Sequence, residues 1–160
     1  MAAILAQIPV VAGGDGLLTT PLPTRTRRLH VRWQTGYGIL LFMAIVLNTM
    51  LRIYQGVASS PSLADESADF IASVLTLAEQ AMQYRPLGSS ATPVYLVAAY
   101  AALKGGESES DRVEALLAEY QSDFRSARWL NMARIFRARL WSLRPNPALI
   151  SEGGYGVWCA

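Results

Sequence analysis

Two short segments of the chain combine charged and aromatic side chains at a spacing that favours ion pairing. One is residues 84–88, with the sequence YRPLG, and the other is residues 119–129, with the sequence EYQSDFRSARW. Glu119 and Asp123 are four residues apart and therefore share one face of a helix. We predict that Arg85 pairs with Asp123 and braces a turn against that helix. The alternatives are a general acid/base pair of the two carboxylates and a ligand or partner site. The candidate interaction residues are Arg85, Tyr120, Asp123, Arg128 and Trp129.

Residue types that support metal binding or nucleophilic catalysis are scarce. The chain has one cysteine, Cys159, and one histidine, His30. Zinc sites need several thiolates or imidazoles at fixed spacing, and a nucleophile activated by histidine would depend on His30, which has no acid nearby in the sequence. The glycines at positions 13–16 lack the Lys-Ser or Lys-Thr that follows in a phosphate-binding loop. We therefore predict no metal site, no cofactor and no catalytic residue.

Charge is distributed unevenly along the chain. Residues 1–60 carry a net charge of +4, residues 61–123 a net charge of −7 and residues 124–160 a net charge of +5. The total of +2 is too small to indicate direct nucleic-acid binding. The simplest interpretation is that the acidic middle pairs with the basic flanks within one fold, and the alternative is that the arginine-rich ends meet an acidic partner or a lipid.

Hydrophobic periodicity predicts an all-α fold of four to five helices, forming a compact or partly incomplete bundle. The first helix is predicted over 29–54. Ser60 or Ser62 can cap the second helix, and Pro61 fits its first turn. The helix is predicted to run to about Gln83. Thr92 is the predicted N-cap of a short helix over 93–103 that is apolar on all sides and therefore central. A fourth helix starts after Ser110 and, with a bend near 122–126, continues until Pro145.

No segment alternates with a period of two, so no strand is predicted. The predicted organisation is an irregular N-terminal segment over 1–28, a helical domain over 29–144 and a loose C-terminal tail over 145–160.

The first predicted helix contains 19 uncharged residues between Arg32 and Arg52. This length is close to the ~20 apolar residues that a membrane-spanning helix requires, and the arginines before it favour an inside N-terminus. Polar residues and glycines at both ends confine the strongly apolar part to about 37–47, which is more typical of a buried core helix. We favour the buried helix and keep a membrane span over about 33–52 as the alternative.

The order of several motifs resembles the C-terminal regulatory region of fungal-specific transcription factors. The segment HVRWQTGYG at 30–38, followed by an apolar helix with Asn48, is similar to the first part of that region. A YRPLG turn at 84–88, then YQSDF at 120–124 and ARW at 127–129, follow in the same order. The resemblance covers roughly 25–144. It implies a helical regulatory domain that senses an effector, associates with itself or contacts another protein.

The chain departs from this family in one respect. Members usually carry an N-terminal DNA-binding zinc cluster with six cysteines, whereas this chain has one cysteine. Zinc-dependent DNA binding is therefore not implied. An incomplete regulatory domain would leave an apolar face of its first helix exposed, and such patches mark interfaces. We therefore expect self-association or docking on a protein partner.

Three hypotheses about function follow. The first is a non-enzymatic helical module that acts in transcriptional regulation, with a nuclear or cytoplasmic location. The second is a small single-span membrane protein. The third is a small-molecule-binding protein or enzyme, with an apolar cavity between the first, third and fourth helices that would take a small-molecule effector. Its predicted lining residues are Tyr37, Phe42, Tyr95, Tyr100 and Trp129, with Arg85, Asp123 and Arg128 as polar groups.

Overall fold

The protein is all-α, as predicted, and five α-helices make up most of the computed structural model. The structure describes residues 24–55, 61–86, 89–103, 108–124 and 126–144, and within these ranges there is no strand. We number the helices in chain order. They are α1 (Thr24–Gln55), α2 (Pro61–Ala81), α3 (Thr92–Ala102), α4 (Ser108–Gln121) and α5 (Trp129–Trp141).

The predicted fourth helix, with its bend near 122–126, is two separate helices, α4 and α5. The other helix boundaries agree with the predicted elements to within a few residues, with three differences. α1 begins at Thr24, directly after Pro23, so residues 24–28 are helical rather than irregular. The predicted irregular segment is otherwise outside the described residues, as is the predicted tail over 145–160. Thr92 is the first residue of α3 and makes no capping hydrogen bond; Ala91 occupies the N-cap position. α4 begins at Ser108, before the predicted cap at Ser110.

Helix α3 is the centre of the bundle and packs against α1, α2, α4 and α5. Its buried residues include four alanines that are each at most 1% exposed, Ala98, Ala99, Ala101 and Ala102. Small side chains allow neighbouring helices to approach closely, which lets one short helix contact four others. The prediction that the apolar third helix is central is therefore confirmed.

Helix α1 is 32 residues long, which corresponds to about 48 Å at 1.5 Å per residue. One side of it is buried against α2 and α3 through residues that include Leu41, Ile45 and Ile53. The opposite side is apolar and exposed. The buried-helix prediction is thus right for one face of α1 and wrong for the other.

The contact between α1 and α3 depends on a glycine. Tyr95 of α3 lies directly against the backbone of α1 at Gly38, and a Cβ atom built there would be 2.1 Å from the Tyr95 ring. The Tyr95 hydroxyl donates a hydrogen bond of 3.0 Å to the carbonyl oxygen of Thr35, one turn earlier in α1. The hydrogen bond to Thr35 fixes the position of the ring against Gly38, so there is no room for a side chain at position 38.

Candidate functional site

The arrangement predicted around Arg85 is present. After α2 the chain forms a 3-10 turn over Met82–Tyr84, and Arg85 follows it, joined to Pro86 by a cis peptide bond. The end of α4 supplies the acceptors. We call Arg85, Glu119, Ser122 and Asp123 the Arg85 cluster.

The guanidinium of Arg85 makes five hydrogen bonds within this cluster. Its Nε donates to Asp123 Oδ2, and its Nη2 donates to Asp123 Oδ1 at 2.8 Å, so the two groups pair through both carboxylate oxygens. Nη1 donates to Glu119 Oε1 at 2.9 Å. Nη2 also donates to the Glu119 carbonyl oxygen at 2.9 Å and to Ser122 Oγ at 2.7 Å. The predicted pairing of Arg85 with Asp123 is therefore confirmed, and Glu119 and Ser122 extend it.

The Arg85 cluster is half-buried, and this decides its energetics. The side chains of Arg85 and Asp123 are 20% and 15% exposed, whereas that of Glu119 is 51% exposed. An exposed ion pair contributes little, but a two-point arginine–carboxylate pair that is mostly shielded from water contributes more. The Arg85–Asp123 pair is consequently the main contact between the turn after α2 and the end of α4.

Tyr120 forms the floor of the cluster. Its side chain is fully buried, and its hydroxyl donates a hydrogen bond of 2.7 Å to the carbonyl oxygen of Ala78 in α2. The Arg85 guanidinium carbon lies 5.3 Å from the centre of the Tyr120 ring, within the range of a cation–π contact. Burial raises the pKa of the Tyr120 phenol above its ordinary value of 10.0. A neutral, hydrogen-bonded phenol at this position supports a structural role.

The charges of the pair shift each other's protonation. The hydrogen bond from Arg85 lowers the pKa of the Asp123 carboxyl below its ordinary value of 3.8, and the same bond raises the pKa of Arg85. Both groups are therefore ionised throughout the physiological range. A carboxylate held permanently charged is a poor general acid at neutral pH, so the geometry does not favour the acid/base alternative.

We expect the contribution of Asp123 to stability to disappear in acid. Because the folded-state pKa of Asp123 is lower than the unfolded one, the stabilisation is complete above 3.8 and is lost as the pH falls through the folded-state value. The urea midpoint of the wild type should therefore exceed that of Asp123→Asn at neutral pH. The two midpoints should converge as the pH falls below the folded-state pKa of Asp123. A difference that persists unchanged in acid would contradict the pairing.

Two further predicted residues, Arg128 and Trp129, lie at the start of α5 and outside the cluster. Arg128 occupies the N-cap position with an exposed side chain that makes no hydrogen bond or ion pair within the described residues. The Trp129 ring is partly buried and meets the Phe124 ring edge-on, with 6.3 Å between ring centres. The predicted set of five residues therefore divides into the Arg85 cluster with Tyr120 and a separate start of α5.

Gln121 lies in the quoted segment 119–129 but is not among the residues predicted to form an interaction site. Its side-chain nitrogen donates to the carbonyl oxygen of Phe124 at 2.9 Å, and its side-chain oxygen accepts from the backbone N–H of Trp129 at 3.1 Å. The amide thus connects the end of α4 with the first turn of α5, which has no cap of its own at Arg128. A glutamine in a polar stretch carries no sequence signal for such a role.

A small cleft between α1 and α3 is a second candidate site. It is lined by Gln34, Thr35, Leu77, Ala81, Ser89, Ala91, Thr92 and Tyr95. Gln34 is 6% exposed, and neither atom of its side-chain amide has a hydrogen-bond partner among the described residues. Of the five aromatic residues predicted to line a cavity, Tyr95 borders this cleft, whereas Tyr100 is a core residue and the other three pack against the core. Within the described residues the five rings therefore belong to the core or pack against it, and Tyr95 also borders the cleft.

The pairing of the acidic middle with the basic flanks is limited in the described part of the chain. Arg112 pairs with Glu79, and Arg85 pairs with Glu119 and Asp123, all within the middle segment. Arg134 of the C-terminal flank contacts Glu114 at 3.9 Å. Much of the arginine charge on the flanks therefore remains at the surface.

Comparison with known proteins adds nothing to this geometry, since no family model, no curated protein and no solved structure matches the chain. The resemblance to fungal-specific transcription factors consequently stays a prediction that depends on the ordered motifs alone.

Proposed function

We propose that the chain is a helical interaction module that acts in transcriptional regulation without a DNA-binding zinc cluster of its own. The observation that carries the proposal is the exposed apolar side of α1. Trp33, Leu40 and Leu47 are 68%, 61% and 55% exposed, on a helix whose other side is in the core. Extended apolar surface of this kind marks a site of protein or membrane contact.

Contacts with the rest of the bundle hold the inner side of α1 in place and leave its apolar outer side accessible. Its inner side is anchored by apolar packing and by two polar contacts to α2. Arg52 donates a hydrogen bond of 2.9 Å to Ser67, and the Asn48 amide donates one of 3.5 Å to Glu66. The Arg85 cluster then fixes α2 to α4. A rigid helix with one free apolar side is a common recognition surface.

The regulatory part of the proposal rests on the resemblance, and a reporter experiment tests it. We expect the full chain, fused to an unrelated DNA-binding domain, to change transcription from a reporter in a fungal cell. Leu40→Glu/Leu47→Glu should abolish the change, because it places charge on the exposed side of α1. Ala72→Glu/Thr76→Glu, with the same added charge on the exposed side of α2, is the control. A reporter that is unchanged by the wild-type fusion would contradict the regulatory role.

A membrane location is the second candidate, because α1 is long and apolar enough to cross a bilayer. An 18-residue window within Arg25–Gln55 has a mean hydropathy of 1.7 and is 33% buried. Core helices of soluble proteins and signal sequences satisfy the same criterion. Fractionation of cells that express a tagged copy distinguishes the two candidates. We expect the protein in the nuclear or soluble fraction, whereas retention in carbonate-washed membranes until detergent is added would indicate a span over 33–52.

The small-molecule alternative stays a prediction. The cleft with the unpaired Gln34 amide is the described feature closest to it, but it differs from the predicted aromatic cavity.

A further inference from the structure

The exposed apolar side of α1 forms one continuous stripe. Its members are each more than half exposed: Leu29, Trp33, Leu40, Met43, Leu47, Leu51 and Tyr54. Ile39 is also 52% exposed but lies to one side of this stripe. We call these seven residues the outer face. No described helix covers it, although the face is about 38 Å long at 1.5 Å per residue.

The spacing of this stripe is that of a coiled-coil seam. Steps of four and three alternate from Leu29 to Tyr54, through positions 33, 36, 40, 43, 47 and 50. Six of these eight positions belong to the outer face, and Gly36 and the half-buried Met50 occupy the other two. Leu51, the seventh member of the outer face, lies one residue off the repeat. A 3-4 repeat sustained over more than three heptads keeps one narrow side of a helix directed at a partner helix. Within the described residues, Met50 is the member of the repeat that packs inward, against the cluster of Ile53, Ala101 and Leu140.

The exposed area of the outer face is close to that of a standard protein–protein interface. A large apolar side chain that is half exposed contributes on the order of 100 Å², so the seven together contribute roughly 700 Å² per copy. Standard protein–protein interfaces bury about 800 Å² on each partner. A second copy of the same helix therefore supplies a matching area without any other surface.

We propose that the outer face pairs with the outer face of a second copy, with the two α1 helices antiparallel across a two-fold axis. This inference rests on the proposed function, because it names the partner of the interaction module. In the antiparallel register Leu29 lies opposite Tyr54 of the second copy, Gly36 opposite Leu47, and Leu40 opposite Met43. The small residue thus faces a large one, and each contact occurs twice.

Electrostatics selects the antiparallel arrangement over the parallel one. The first turns of α1 carry Arg25, Arg27, Arg28 and Arg32. Arg27 is directed at the Tyr84 ring. A parallel pair would place the other three arginines beside the same three of the second copy, and like charges at that separation repel. The antiparallel pair separates these two groups by most of the length of the helix, well beyond the ~8 Å Debye length at physiological salt. It brings Arg32 level with Arg52 of the second copy, but Arg52 is turned inward to Ser67.

Charge also favours a protein partner over a lipid surface. Helices that lie on membranes usually carry lysine or arginine along the polar side that faces the headgroups. α1 has no charged residue between Arg32 and Arg52. Its inner side is instead committed to the bundle, with Asn48 and Thr49 buried.

Sedimentation of the full chain tests the dimer. We expect the wild type to sediment as a dimer and Leu40→Glu/Leu47→Glu as a monomer with the same helical circular dichroism. Ala72→Glu/Thr76→Glu, on the exposed side of α2, should remain dimeric. If both double variants stay dimeric, the interface lies elsewhere and the proposal is wrong.

Cysteine crosslinking tests the orientation. In a Cys159→Ser background, Leu29→Cys and Tyr54→Cys proteins should form a disulfide-linked pair when mixed and oxidised, and neither should crosslink efficiently alone. Crosslinking of Leu29→Cys with itself would indicate a parallel pair and would overturn the proposed arrangement.

A monomeric wild type would also overturn the proposal. Flotation with vesicles of phosphatidylcholine and phosphatidylserine then separates the remaining occupants. A monomer that floats with vesicles uses the outer face on lipid. One that does not float either covers the face with its own residues 1–23 or leaves it for a different protein. The reporter experiment is independent of these outcomes. A monomer that still changes transcription contradicts the dimer alone, and a dimer without an effect on the reporter contradicts the regulatory role alone.

Discussion

Gly38→Ala is expected to destabilise the protein by about 2–3 kcal/mol, although alanine is the better helix former by ~1 kcal/mol. The new methyl group would lie 2.1 Å from the ring of Tyr95. That ring is 4% exposed, and its hydroxyl is bonded to the Thr35 carbonyl oxygen. The ring can therefore move away only by giving up this hydrogen bond and by separating α1 from α3.

Gly36 provides the matched control, two residues earlier in the same helix. A Cβ atom at Gly36 meets nothing within 4 Å, so Gly36→Ala should stabilise by about 0.5–1 kcal/mol through backbone entropy alone. Urea denaturation at the lowest practical protein concentration, where self-association contributes least, measures both. Two glycines with the same response would contradict the close contact of Tyr95 with α1.

A double-mutant cycle assigns the cost of Gly38→Ala to the ring. In a Tyr95→Leu background the branched side chain is shorter, so Gly38→Ala should cost much less than in the wild type. Non-additivity of this kind measures a direct contact between two residues. Full additivity would place the cost elsewhere in α1.

Removal of the Arg85 guanidinium has the second large expected effect. Arg85→Met should destabilise by about 2 kcal/mol, because hydrogen bonds to charged groups contribute more than neutral ones and partial exposure reduces the total. The variant leaves Asp123, with a side chain only 15% exposed, without its cationic partner. It also removes the arginine's hydrogen bonds to the Glu119 carbonyl oxygen and to Ser122 Oγ, which stay hydrogen-bonded to each other.

Arg85→Lys separates charge from geometry. Lysine keeps the positive charge but cannot contact both oxygens of Asp123 in the planar geometry of a guanidinium, so we expect it to recover less than half of the lost stability. Chemical denaturation gives the totals, and hydrogen exchange gives the location. Faster exchange in Arg85→Met should be concentrated at the end of α4 and in the loop to α5. Unchanged stability in both variants would mean that Arg85 does not brace the fold.

The helical architecture was accessible from the sequence because local signals determine it. Pro61 fits the first turn of α2, where the missing N–H has no partner to lose, and it is the first residue of that helix. The sequence of α3 has no charged residue, and this predicted its central position. A helix that is apolar on all sides is stable only when other elements surround it. The Arg85–Asp123 pair was also predicted, from an arginine in a turn and two acids on one helical face, although Arg112, Arg125 and Arg128 lie closer to those acids in the sequence.

Other features of the structure depend on residues that are far apart in the sequence and close together in space. The role of Gly38 exists only because Tyr95, 57 residues later, crosses α1 at that point. Gln121 connects α4 to α5 through backbone atoms, which every residue has, so the sequence pattern does not identify its partners. Arg128, like Arg85, belongs to a segment that mixes charged and aromatic residues, but its side chain is exposed at the N-cap of α5.

The sequence by itself determined that the chain forms amphipathic and apolar helices, because hydrophobic periodicity and proline positions act within one or two turns. Only the tertiary structure decided which side of α1 is buried. The apolar residues of α1 are nearly continuous between Arg32 and Arg52, so periodicity alone does not select one face. Packing against α2 and α3 selects the face with Leu41, Ile45 and Ile53, since there Gly38 admits Tyr95 and Arg52 reaches Ser67. The opposite face is left exposed, and its spacing can be recognised only once the inner face is assigned.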